Sequence, residues 1–494
     1  MRKSRRWLLL SLVLLVGLVT VDVLDATAKN EPTPDTQEQV TKKTTTPISL
    51  KSLSNRAEPT TLSQRLISFL GIPALILIAF LLSRNRGAIR WRPVLWGIGL
   101  QIAFGLVVLS PQVGGFLFDV VNQSVTRLLS FSEAGADFLF QTLDQHEITT
   151  VNPATGLKTT QSYVGTISPP LKTLAFWVLP TIIFFSALMN ILYHLGIMQW
   201  LVRGTAFVMR KTMGTSGSES LSAAANIFVG QTEAPLVVKP FVKGMTESEL
   251  NAIMVGGFAT VAGGVLAAYV GFLHKTIPDI AGHLVMASIM SAPAALAVAK
   301  ILIPEDQISE TAGGAEFAVD RPDVNLIEAM SRGATEGLTL AVNVAAMLIA
   351  FVAMIALVNY LFLLVGGLFG MELSLEMLLG YLFAPIAWVM GVPGDECILV
   401  GRLLGEKMVL TEFIAYIHLG ENLSGPSPMS YRSAVITSYA LCGFANFASI
   451  GIQIGGIGGI APERRKDLAR LGILAMIGGT LAAFMTATIA GIIL

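Results

Sequence analysis

Two glutamates, Glu233 and Glu412, each follow a threonine in stretches apolar enough to lie in a membrane. A charged side chain at bilayer depth costs roughly 2.5–3.5 kcal/mol even on the lenient insertion scales, so such residues persist where they face a cavity and find partners. Both acids are expected deep, facing one enclosed pocket. No arginine or lysine falls at either Thr-Glu tip, and Arg402, Lys407 and Arg432 are placed toward the outer boundary. Two acceptors without an adjacent cation suit a neutral guest bearing hydroxyl and N–H donors, a sugar or a nucleoside, rather than a carboxylate or phosphate. Gln231, Asn446 and Ser449 add groups that both donate and accept, and Phe444 offers a ring to stack on. A sodium ion would find side-chain oxygens at Asn226, Thr232 and Thr260, and backbone carbonyls at Val229 and Val261 where helices break. A structural alternative stands beside this: an acid can cap a broken helix, and each polar residue can bond its own helix backbone.

The elements that must carry these residues are membrane helices. The chain is 53% hydrophobic and 13% charged, against about a quarter charged for soluble domains. Its 33 basic and 33 acidic residues cancel, so charge gives no reason to invoke nucleic acid. Cys397 and Cys442 are the only cysteines, which excludes a disulfide framework or a four-thiolate zinc site. The five histidines lack ligand spacing. The run Gly455-Gly456-Ile457-Gly458-Gly459 ends a membrane helix and has no strand–helix unit around it, so it is not a nucleotide loop.

A basic start, an apolar run from Trp7 to Val21 and Ala26-Thr27-Ala28 form a secretory signal over 1–28, with a retained anchor helix as the rival. Residues 29–62, rich in Thr, Pro, Lys and Glu, are expected to be a disordered external tether. A crossing helix needs about 20 mainly apolar residues. Candidates are 66–82, 91–109, 171–192, 248–273, 281–303, 338–368, 432–454 and 471–493. Three basic clusters (Arg84, Arg86, Arg90, Arg92; Arg203, Arg210, Lys211; Arg464, Arg465, Lys466, Arg470) all fall on one side of the alternating spans, the cytoplasmic side. Residues 63–170 then hold scaffold spans and an external loop, with a helical period over 115–143 and a polar loop over 144–168. Residues 304–337 make a cytoplasmic connection.

The segments 219–242 and 394–419 are too short to cross twice as full helices, and each has its Thr-Glu pair near the middle. Re-entrant hairpins fit them. After each comes a related core, Gly257-Phe258-Ala259-Thr260 and Gly443-Phe444-Ala445-Asn446. Each hairpin is also preceded by a span and an amphipathic segment (194–212 and 372–388). Residues 171–303 and 338–494 therefore read as two copies of one design. Three crossings per copy invert one copy relative to the other. The expected fold is an all-α polytopic membrane protein with inverted repeats and two re-entrant hairpins.

Asn226-Ile227-Phe228-Val229-Gly230-Gln231-Thr232-Glu233-Ala234-Pro235-Leu236 resembles the signature hairpin of the concentrative nucleoside transporters. Similar matches occur at Ser288-Ile289-Met290-Ser291-Ala292-Pro293, at Ala341-Val342-Asn343-Val344 with Ala346-Met347-Leu348, and at Tyr439-Ala440-Leu441-Cys442-Gly443-Phe444-Ala445-Asn446. The resemblance spans about residues 60–494 in unbroken order. It implies base contacts at Gln231, Thr232, Glu233 and Val265, and ribose contacts at Glu412, Asn446 and Ser449, with Phe444 lining the site. It implies a sodium site at Asn226, Val229, Thr232, Thr260 and Val261, no cofactor, a homotrimer in the inner cell membrane, and a transport domain moving against a scaffold. Thr260 stands where serine is frequent, and Gly263-Gly264 where Gly-Ser is common, which bears on substrate preference.

Rival functions are a proton-coupled permease using Glu233 or Glu412, a channel, and an intramembrane enzyme. The enzyme would need a nucleophile with its base, or paired acids within reach of a scissile bond. The channel is disfavoured because re-entrant repeats around buried acids describe an occluded site.

Overall fold

The computed structural model describes residues 60–109, 115–140, 142–151, 158–167, 174–274, 276–312, 323–368 and 373–494. The signal segment, nearly all of the tether and part of the 304–337 connection lie outside the described residues. The first helices are α1 (Leu62–Leu81), α2 (Trp91–Leu109) and α3 (Gly115–Phe140). Strands β1 (Thr142–Val151) and β2 (Lys158–Ile167) pair antiparallel, with Thr142 opposite Ile167 and Val151 opposite Lys158. This corrects the polar loop expected over 144–168. Threonine and β-branched residues recur in both arms, and their preference for a pleated strand outweighs their polarity.

Two series of helices follow in matching order. The first is α4 (Leu179–His194), α5 (Ile197–Met213), α6 (Gly217–Asn226), α7 (Glu247–Ala259), α8 (Gly263–Leu273) and α9 (Ile280–Leu302). Short turns at Ala234–Val238 and Lys239–Val242 complete the broken element after α6. The second is α10 (Leu326–Gly367), α11 (Leu375–Met390), α12 (Cys397–Val409), α13 (Glu412–Ser424), α14 (Tyr431–Leu441), α15 (Phe447–Ile460) and α16 (Arg465–Ile493). Each series thus runs helix, second helix, broken pair, broken span, long helix. The expected spans 248–273 and 432–454 are not continuous helices: they break at Thr260–Ala262 and Cys442–Asn446. In the second series α11 is apolar nearly all round, with Glu376 its one charged residue, where an amphipathic segment was expected.

Capping explains several starts. Ser216 and Glu219 form a capping box on α6, and Thr246 and Glu249 form another on α7. Gly196, in the left-handed region at φ 82°, allows the 78° bend between α4 and α5. Among the described residues five helical segments, counting α7 and α8 together, or six with that bent pair as one span, are long and apolar enough to cross a membrane. Burial separates them: 89% of the apolar window of α9 is inside the protein, against 6% for α10. The core is α7, α8, α9 and α16, with α1 and α7 packed on α16 and α2 on α9.

The three basic clusters meet at one end of the molecule. Arg84 and Arg470 both pair with Glu247 at the start of α7. Arg92 donates to the Lys211 and Thr212 carbonyls at 3.1 and 3.2 Å. Arg464 donates to the Met245 carbonyl at 2.6 Å. This is the arrangement that a common cytoplasmic face requires.

Candidate functional site

Four interruptions of helix come together in the core. At the first, after α6, the Phe228 carbonyl accepts from the Gly263 N–H at 3.3 Å, which ties that break to the α7/α8 break. The Thr260 carbonyl in the α7/α8 break accepts from the Phe444 N–H in the α14/α15 break, also at 3.3 Å. The fourth interruption, between α12 and α13, joins through Glu412. Its carboxylate accepts from the Tyr269 hydroxyl at 2.7 Å and from the Asn446 amide at 2.9 Å.

Glycine makes this crossing possible. Gly443 sits at φ 150°, and a Cβ there would lie 2.8 Å from the Phe258 carbonyl oxygen. Any larger residue would force the two Gly-Phe-Ala cores apart. Gly257, its counterpart, leaves room for a contact between side chains. A Cβ there would lie 2.8 Å from Gln453 Nε2 and 2.9 Å from Gln231 Cβ.

One face of α15 links the breaks. Asn446 caps the helix by accepting from the Ser449 N–H at 2.8 Å, while its amide nitrogen holds Glu412. Two turns along, Gln453 donates to Gln231 at 3.0 Å. Thr232 packs near Gly456, where an added Cβ would come within 2.7 Å of its methyl. Residues 446, 449, 453 and 456 share a helix face by their spacing. At about 1.5 Å per residue, Asn446 and Gln453 are roughly 10 Å apart along the axis.

Burial differs between the acids. Glu412 is 4% exposed. Glu233 is exposed, although protein surrounds it on most sides. The expectation of two equally enclosed acids is therefore corrected. Glu233 leans on its own turn, and a Cβ at Gly230 would collide with its carboxylate. Phe444 is half-buried, and Val265 and Ser449 are buried.

The cation candidates also gather here. Asn226 is 1% exposed, and neither atom of its amide has a hydrogen-bond partner among the described residues. Leaving a buried polar group unpaired costs about 1–3 kcal/mol. Thr260 donates to the Gly256 carbonyl at 3.0 Å, so its oxygen lone pairs stay available. Among the described residues no hydrogen bond reaches the Val229 or Val261 carbonyl. This set of neutral oxygens fits a sodium ion. Two clefts elsewhere, one lined by Asp323, Arg332 and Thr335 and one by Phe104, Trp200 and Phe207, share none of these residues.

Comparison with known proteins places this geometry. Family models for the N-terminus and C-terminus of the Na+ dependent nucleoside transporter match residues 70–143 and 283–491, and a nucleoside recognition model matches residues 175–276. The chain is 44% identical over 425 residues to the uncharacterized transporter YutK of Bacillus subtilis, covering 85% of this chain and 98% of that protein. The chain belongs to the Na+ dependent, or concentrative, nucleoside transporter family. This is a family of multi-pass membrane transporters, not of enzymes. Mouse solute carrier family 28 member 3 is 42% identical over 444 residues, 87% of this chain. The alignment spans 59% of that animal relative, so this family member matches only part of its length. A solved structure of CNTnw in an inward-facing substrate-bound state superposes with a TM-score of 0.75 at 41% identity, covering 87% of this chain and 97% of that one. An outward-facing CNTnw variant gives 0.77 at 40% identity, covering 88% and 98%.

Tyr269 and Gln453 are site neighbours beyond the residues singled out in the sequence, and Lys407 is a third. Tyr269 and Gln453 could have been found as polar groups inside otherwise apolar helices. Lys407 was misplaced. It is fully buried, not at the outer boundary, and donates to the Ala440 carbonyl at 2.7 Å. It lies within electrostatic range of Glu412, yet no ion pair joins the two among the described residues.

Proposed function

We propose that this protein imports nucleosides together with sodium, at an occluded site where the four breaks meet. The observation that carries the reading is the face of α15, with Glu412 on Asn446 at one end and Gln231 on Gln453 at the other. A separation of roughly 10 Å along the helix suits a guest with hydroxyls at one end and a ring at the other. The carboxylate of Glu412 accepts from the ribose hydroxyls beside Asn446 and Ser449. The base lies against Gln231, Thr232, Glu233 and Val265, with Phe444 along its flank. Sodium sits among Asn226, Val229, Thr232, Thr260 and Val261. Thr232 is common to both sets and couples them, since ordering it for the ion also orders it for the base.

The broken pairs α6 to Val242 and α12–α13 act as re-entrant hairpins of oppositely inserted repeats in the inner cell membrane. Inverted repeats with broken helices meeting at mid-depth are a recurring basis for alternating access. The protein works as a homotrimer. Supporting this, α10 presents Ile349, Val352, Leu361 and Leu364 outward, apolar surface for lipid and partner copies.

The test is uptake of labelled uridine into vesicles carrying the full chain. Replacing sodium by choline at fixed pH should abolish concentrative uptake. Uptake that instead follows an imposed pH gradient would replace sodium with the proton as coupling ion.

A further inference from the structure

Gln453 is fully buried and makes two hydrogen bonds through one atom. Its Nε2 donates to the Met254 carbonyl at 3.1 Å and to Gln231 Oε1 at 3.0 Å. Two facing amides can bond with either polarity. The Met254 carbonyl removes the choice, because a backbone carbonyl only accepts. The Gln453 atom between them must therefore be the amide nitrogen, and the Gln231 atom facing it must be the oxygen. Turning Gln453 over would press its oxygen against the Met254 carbonyl. Gly257 keeps the space in which the two side chains cross.

We propose that Gln453 is a positioning residue that fixes the Gln231 amide with its NH2 group toward the substrate. Gln231 is then a donor, and the protein selects nucleosides whose base presents a carbonyl or ring-nitrogen acceptor to it. This rests on the site reading above. A site built to hydrogen-bond an acceptor rejects the analogue lacking it, because the donor is left unpaired on binding. With Gln453 lost, Gln231 is free to turn over, and either edge of a base can be met.

The experiment uses the full chain in vesicles under an inward sodium gradient. Uridine is compared with its analogue lacking the base carbonyl remote from the sugar, and adenosine with analogues in which single ring nitrogens are replaced by CH. The wild-type protein should show a KM about tenfold higher for at least one acceptor-deleted analogue than for its parent, the value of one hydrogen bond. In Gln453→Met that ratio should fall toward one. Gln231→Ala should lose the ratio equally, and adding Gln453→Met to it should change nothing further. If Gln453→Met does not reach the membrane, Gln453→Glu, protonated so that its hydroxyl donates to the Met254 carbonyl, has nearly the same shape and offers Gln231 an acceptor. The preference should then invert toward bases presenting donors. A wild-type protein that discriminates among none of the analogues, or a Gln453 variant that keeps the full ratio, overturns the inference. A wild-type protein that carries no nucleoside at all sinks the functional reading instead, before any variant is compared.

Discussion

The two Thr-Glu breaks begin from nearly the same residues and end in different surroundings. Glu412 is sealed in the core with two donors on its carboxylate, while Glu233 is exposed and rests on its own turn. Aligning the Gly-Phe-Ala cores shows where the difference originates. Twelve residues after Gly257 stands Tyr269, which holds Glu412, and twelve after Gly443 stands Gly455. At Gly455 the space where a side chain would begin is open. Likewise Asn446, which donates to Glu412, has Thr260 as its counterpart, and Thr260 turns its hydroxyl to its own helix. Glu412 is clamped by donors from both halves, Tyr269 and Asn446, whereas Glu233 is held only by its own turn and Thr232. A clamped acceptor loses little freedom when a guest arrives, whereas an open one adapts to more than one guest.

The largest effect should separate the two acids directly. Glu412→Gln replaces a held carboxylate by an amide, and hydrogen bonds to charged groups contribute about 1.5–3 kcal/mol. Uridine uptake per molecule at the membrane should fall about a hundredfold. Glu233→Gln should cost about tenfold, since the open side chain can rearrange. Stability should part them too. Glu412→Ala strands the Tyr269 hydroxyl and Asn446 amide in the core, at about 1–3 kcal/mol each, and should lower the unfolding temperature in detergent. Glu233→Ala should leave it almost unmoved. Equal losses in both assays would erase the distinction.

Much of this was legible in the sequence, and the part that was not has identifiable causes. The helices, both Thr-Glu breaks and the doubled order of elements follow from apolar length and from polar residues where lipid would forbid them. The convergence of Arg84, Arg92 and Arg470 on one end follows from the alternation of spans. The breaks inside 248–273 and 432–454 were not legible. Both stretches are apolar enough to read as continuous helix, and the reason for breaking, close approach of two backbones at Gly443, is a tertiary contact. Lys407 was misjudged because a lysine eleven residues beyond Glu396 looks like an interface residue until its ammonium is seen on the Ala440 carbonyl. The β1–β2 hairpin was read as loop because polarity was weighted above β-branching.

Tyr269→Phe tests the clamp more gently. The ring stays stacked on Tyr416, at 4.5 Å between centroids, and only the hydroxyl is lost. Glu412 keeps Asn446 and gains freedom to turn. The expected result is a KM for uridine raised several-fold, up to about tenfold, with the maximal rate and sodium dependence unchanged. A maximal rate that falls while KM holds would mean that the hydroxyl acts in the moving step rather than in holding the acid.

The smallest effect concerns the threonines. Thr411 occupies the cap position of α13, yet its hydroxyl caps nothing and, although buried, has no partner among the described residues. Thr232, half-buried at the first break, stands with the proposed sodium ligands. Replacing a hydroxyl that makes no bond by a methyl removes a desolvated polar group, so Thr411→Val should not lower stability and should change uptake by less than about twofold. Thr232→Val removes an oxygen that the ion would use, and the sodium concentration for half-maximal uptake should rise several-fold. The two variants carry the same change in shape at corresponding breaks. A large loss in Thr411→Val would therefore show that the clamped break also presents its hydroxyl to a guest, and the contrast between a closed and an open break would have to be redrawn.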